Sequence, residues 1–123
     1  MPGLAKVDDQ TFVSTMRAIN VAIVNPVFLL IWLGAPLLAV VTAILAVRSK
    51  EAIPWAIVGA VLTIVTFVIT AGVNIPLNNS LAATADVPAA RVAFENVWVI
   101  ANIARALTAT AGFACLVWAM RIG

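Results

Sequence analysis

The 123-residue sequence contains no histidine, no tyrosine and a single cysteine, Cys115. Without imidazole, and with one thiol, the usual ligand sets for zinc, copper and iron cannot be assembled, and haem would lack its usual axial histidine. A lone cysteine forms no intrachain disulfide. Charge is scarce as well: seven basic and five acidic residues leave a net charge of +2, too little and too scattered for a nucleic-acid interface. The carboxylates Asp8, Asp9, Glu51, Asp86 and Glu95 are dispersed, with no pair at motif spacing. The expectation is a chain with no metal, no cofactor and no nucleic-acid partner.

What the chain has instead is hydrophobicity. Apolar residues make up 64% of it and charged residues 10%, against roughly 45–50% and 25% in soluble domains. Such a shift in both directions means that lipid is the solvent. The length allows one domain, residues 1–123, and the fold class expected is all-α, a transmembrane helical bundle.

The start, "MPGLAKVDDQ", has no basic segment followed by an apolar run and is not read as a signal peptide. Residues 9–24 read as an amphipathic helix capped by Asp8 or Asp9. Phe12, Met16, Ile19 and Ile23 share one stripe, and Gln10, Ser14 and Arg17 lie opposite. Such a helix lies in the membrane interface or packs on the bundle; periodicity does not choose. Asn25 and Pro26 are a helix-start pair, N-cap and first position.

Membrane spans follow at 27–47, 52–73 and 97–120, each long enough for a hydrocarbon core of about 30 Å. Pro36 is expected to kink the first. "RSKE" (48–51) is a tight polar connection, and "SLAATADVPAAR" (80–91) reads as a loop before a third helix that starts near Pro88. Trp98 and Trp118 are spaced for an aromatic belt at each interface, and Trp32 and Trp55 read as further anchors. Basic residues are equally numerous on both sides, so orientation stays open; a bacterial plasma membrane is the expected location.

Three spans put residues 1–26 and 74–96 on one side of the membrane. All seven asparagines, Asn20, Asn25, Asn74, Asn78, Asn79, Asn96 and Asn102, belong to that side or to the nearby helix half. On the third helix, Arg91, Glu95, Trp98, Asn102 and Arg105 fall within a strip roughly 80° wide, with Asn96 pointing away. Arg105, about 10 Å beyond Trp98, should face the bundle interior, because a charge within the bilayer costs about 2.5–3.5 kcal/mol on insertion scales. Plainer readings stand beside this one. Arg105 can snorkel or pair with Glu95, Asn102 can be an ordinary interhelical bond, and Asn78 and Asn79 suit a turn. Cys115 reads as a small buried apolar residue.

The segments "MRAINVAIVNPVF", "NIPLNNSL" and "FENVWVIANIARAL", in this order and spacing, resemble the anthrone-oxygenase-like family of small multi-pass membrane proteins. The likeness runs from residue 1 to about 120. It implies that Asn74, Pro76, Asn78, Trp98, Asn102 and Arg105 are signature positions, with Asn20, Asn25 and Pro26 a weaker block. Members usually form a four-helix bundle, so the resemblance also implies that three spans plus the amphipathic helix are the remnant of one, the first helix ending near Met1.

Some fungal members are associated with oxidation of anthrones to anthraquinones, while most bacterial members have no assigned reaction. The implied activity is cofactor-independent oxidation of an anthrone-like aromatic by dioxygen. Arg105 and Asn102 would stabilise the developing oxyanion, Glu95 would be the candidate base, and Trp98, Asn74 and Asn78 would hold the substrate. Two alternatives use the same residues: a non-catalytic protein that binds a small aromatic or amphipathic ligand or lipid, and a structural role joining helices or subunits. Beyond the bilayer and such a ligand, homo-oligomerisation is left open.

Overall fold

The computed structural model describes residues 1–123 and is all-α, with no strand. Its helices are α1 (Pro2–Ala5), α2 (Asp9–Ile23), α3 (Pro26–Ala46), α4 (Ala52–Ile69), α5 (Ile75–Ala83) and α6 (Val87–Ile122). Three rods are long and apolar enough to cross a membrane: α3, the continuous 32-residue stretch Ala52–Ala83, and the 36-residue α6. The last two extend to about 48 and 54 Å at 1.5 Å per residue, so each outruns a hydrocarbon core of about 30 Å. Their surplus lengths, α5 and the first turns of α6, project on the same side as α2.

That projecting part holds the best-packed core. Phe12, Val13 and Met16 of α2 are buried against Leu81 of α5 and Ala90 and Phe94 of α6, with Phe12 edge-on to Phe94 at 6.2 Å. Water is near here, so apolar burial drives the packing. The amphipathic stripe docks only through its first half, since Ile19 and Ile23 remain 44% and 45% exposed. Asp8 caps α2 by accepting from the Thr11 N–H at 2.7 Å. The Thr11 side chain and N–H hold its carboxyl below the usual value.

Two arginines pin this cap. Arg17 donates to the Leu81 and Thr84 carbonyls, which lie at the C-terminus of α5, where a cation meets the negative end of the helix dipole. Arg91 reaches the Val7 carbonyl at 2.7 Å, Asp9 at 3.0 Å and Glu95 at 2.9 Å, with its guanidinium over the Phe12 ring.

Inside the membrane the packing rule changes. Lipid offers no hydrophobic drive between helices, so small residues that permit close approach take over. Ala46, Ala56 and Ala119 join the three spans at the far end, and Gly59 faces Gly112 where α4 crosses α6. A Cβ on Gly59 would lie 2.7 Å from Leu116 Cγ and 3.1 Å from the Gly112 carbonyl. A hydroxyl pair, Thr66 to Thr108 at 2.7 Å, ties the same helices further along. Gly59→Leu is therefore expected to cost about 1–3 kcal/mol through overpacking, read as a lower melting temperature in detergent; unchanged melting would mean that the close α4–α6 contact is absent.

Two sequence expectations change. The asparagine stretch is not a turn: α5 carries Asn78 and Asn79 on a helix that continues to Ala83, and the connection shrinks to 84–86. The physical reason is Pro76. Its ring would clash with the carbonyl four residues back and it has no N–H to donate. The chain absorbs this in a π-helical turn, Thr70–Asn74, where the Ile75 N–H bonds to Thr70 O, and then resumes as helix. A short α1 also precedes the amphipathic helix.

Only 17 of 123 residues are buried, and the chain exposes 7584 Å². A compact soluble monomer of this mass would expose about 6,300 Å². The surplus is apolar, carried by residues such as Leu30, Ile44, Ile100 and Phe113, as a lipid-facing surface requires.

Candidate functional site

The strip on α6 divides into two parts with different partners. Arg91 and Glu95 turn to the N-terminal segment, where both are consumed by the ion pairs of the cap. Trp98, Asn102 and Arg105 turn to a cavity of about 870 Å³ lined by residues of α2, α3, the π turn, α5 and α6. Glu95 lines neither this cavity nor its neighbour, and it does not pair with Arg105.

Arg105 Nη2 donates to Asn102 Oδ1 at 2.8 Å, and Nη1 makes a long bond of 3.4 Å to Thr70 Oγ1. A guanidinium offers five N–H groups, so most of its donor capacity stays unengaged. No carboxylate pairs with it: the ion pairs of the molecule all belong to Arg91. Asn102 uses its carbonyl on Arg105, which leaves its amide N–H groups free. The site thus holds an unneutralised cation beside a fixed amide, partly buried among apolar helices.

The π turn supplies the opposite wall. Because it widens the helix by one residue per turn, Thr70 and Asn74 both face inward, 3% and 2% exposed. Thr70 spends its hydroxyl hydrogen on Thr66 O. Asn74 has no partner at all: neither its amide nitrogen nor its oxygen is bonded, although the side chain is buried. Asn20 Nδ2 from α2 and Trp32 Nε1 from α3 are likewise buried and unpartnered on the same cavity. Buried polar atoms are bonded in nearly all cases, so these exceptions, clustered at one cavity, give it donors and acceptors able to meet a polar ligand.

Of the other predicted residues, Asn78 and Trp98 line this cavity, whereas Asn25 and Trp118 lie outside it. Asn78 Oδ1 accepts from Trp98 Nε1 at 3.1 Å, and the Trp98 ring stacks on Phe94 at 5.7 Å while lining the cavity. Trp98 is thereby bonded within the bundle. Asn25 is structural: its oxygen caps Phe28 N, and its nitrogen bonds the Ala22 and Ile23 carbonyls, sealing the α2–α3 joint ahead of Pro26. Trp118 stays exposed under Arg121.

Trp32 is the residue that sequence reasoning misplaced. It stacks between Phe28 at 6.2 Å and Phe67 at 4.7 Å, forming part of the cavity wall. The run of apolar residues around it gives no sign that its indole points inward. Pro36, one turn on, cannot donate to the Trp32 carbonyl, so that backbone oxygen too lacks its helical partner.

A second cavity, about 840 Å³ and mainly apolar, runs along α3, α4 and α6 toward Met120. The two share Phe28, Trp32, Thr70, Asn102 and Arg105. Arg105 stands at the partition.

Compared with known protein families, residues 18–115 match the anthrone oxygenase family, a stretch that includes every site residue from Asn20 to Arg105. Neither a curated protein nor a solved structure matches the chain.

Proposed function

The chain belongs to the anthrone oxygenase family, and on that premise we propose that it is an integral membrane enzyme oxidising an anthrone-like aromatic with dioxygen. The observation that carries this reading is the uncompensated Arg105 guanidinium, held by Asn102 and Thr70 at a cavity with unpartnered amides.

The chemistry needs little from the protein beyond electrostatics. The methylene of an anthrone is acidic because its carbanion is an enolate conjugated to two aromatic rings. Charge develops on the carbonyl oxygen, where Arg105 and the free amide N–H groups of Asn102 can meet it in a site of low dielectric. The carbanion adds dioxygen, and the resulting hydroperoxide loses water. One oxygen atom stays as the new carbonyl, and the other leaves as water with the two methylene hydrogens. Trp98 offers a face for a flat tricycle, and Asn74 and Asn20 offer amides to its polar edges.

Glu95, the base that the sequence pointed to, is held by Arg91 outside the cavity. The proton is better given to water that enters from the interfacial end. Purified protein in nanodiscs, given an anthrone and followed by anthraquinone absorbance, tests both points. Product should form above the spontaneous rate, and Glu95→Gln should keep turnover within a few-fold of wild type. A thousandfold loss in that folded variant would restore Glu95 as the base and require its carboxylate to leave Arg91.

A further inference from the structure

The second cavity has features that an aromatic substrate does not use. From Arg105 to Met120 it follows about 22 Å of α6, far more than a tricycle needs. Its lining includes the small residues Ala35, Ala39, Ala106 and Ala109, and its only ionisable group is Arg105 at one end. The charge there has no answer within the chain. Asp9 and Glu95 are spent on Arg91, Asp8 and Asp86 cap helices, and Glu51 lies at the other end of α4. A cation inside a membrane is costly unless an anion or water meets it.

We propose that this groove binds a single-chain anionic amphiphile, a long-chain carboxylate whose head pairs with Arg105 and whose tail lies along α6 toward Met120. A carboxylate accepts the planar fork of a guanidinium through two parallel bonds, and the free donors of Arg105 allow it. The tail needs a largely apolar channel open to the bilayer, and the groove between α3 and α6, with Ala35, Ala39, Ala106 and Ala109 in its lining, offers one. Because Arg105 also serves the first cavity, the bound carboxylate competes with any substrate anion there. The site stands on charge and shape alone and does not depend on the oxygenase chemistry.

Trp32 at the partition is a built-in reporter. Stearate carrying a doxyl spin label on its chain is titrated into the protein in phosphatidylcholine nanodiscs, and the Trp32 contribution is isolated by subtracting a Trp32→Phe variant. The expected result is saturable quenching by the acid and at least tenfold weaker quenching by its methyl ester. Affinity should fall at least tenfold in Arg105→Gln, and also in Ala109→Phe, which puts bulk into the groove lining and leaves the charge in place. Equal quenching by acid and ester in the wild-type protein would overturn the proposal in favour of ordinary lipid contact. Absence of Trp32 quenching would also overturn it, since another helix or a second copy would then cover the groove.

Discussion

Replacing Arg105 by alanine is expected to lower anthrone turnover about 10²–10³-fold while the protein still inserts and folds. The size follows from the role: removal of one preorganised donor at a developing oxyanion costs about 2.7–4 kcal/mol of barrier. Folding should survive because Arg105 holds no helix in place. Its partners are Asn102, three residues away on its own helix, and a long contact to Thr70, and removing an unpaired charge from the membrane interior relieves a cost. Arg17 and Arg91, by contrast, bridge separate segments, and their loss should reduce the yield of folded protein. Parallel melting curves and initial rates separate the two cases. A variant at Arg105 that turns over at the wild-type rate would remove this residue from the chemistry.

Replacing Asn74 by leucine should make the protein more stable and less active. The side chain is 2% exposed with both amide atoms unpartnered, a state that costs about 1–3 kcal/mol for each buried polar group left unsatisfied. Leucine, of similar size, removes that penalty, and about 1–3 kcal/mol of stability should appear as a higher melting temperature. Activity or ligand retention should fall at least tenfold, since the proposed function has this amide meet the occupant of the cavity. Opposite signs in the two measurements are the signature of a functional residue maintained at a structural cost. A destabilised Asn74→Leu would show instead that the amide is bonded in the resting protein, by ordered water, and serves the fold.

Much of this was legible in the sequence, and the parts that were not share one cause. The three spans, the Asn25–Pro26 start and the inward strip of α6 follow from periodicity, capping and the cost of charge in lipid, all of which are local. Resemblance added the positions in α5. What escaped was geometry set by contacts between segments. Pro76 beside three asparagines reads as a helix end, since nothing local shows that a π turn can absorb the proline. Glu95 lies on the same strip as Arg105, but Arg91 and Asp9, brought together only by the docking of α2, claim that end of the strip. Trp32 sits in an unbroken apolar run, where lipid-facing and cavity-facing positions have the same composition. In a membrane the hydrophobic pattern that distinguishes inside from outside in water is lost, so only polar residues report the interior.

The proposed function places oxidation at the Arg105 cavity. The most direct measurement is dioxygen consumption by the purified protein in nanodiscs with an anthrone, set against the spontaneous rate in empty nanodiscs. The expected result is saturable uptake of one dioxygen per anthraquinone formed, with no hydrogen peroxide released. Uptake no faster than in empty nanodiscs, from protein shown to be folded, would contradict it.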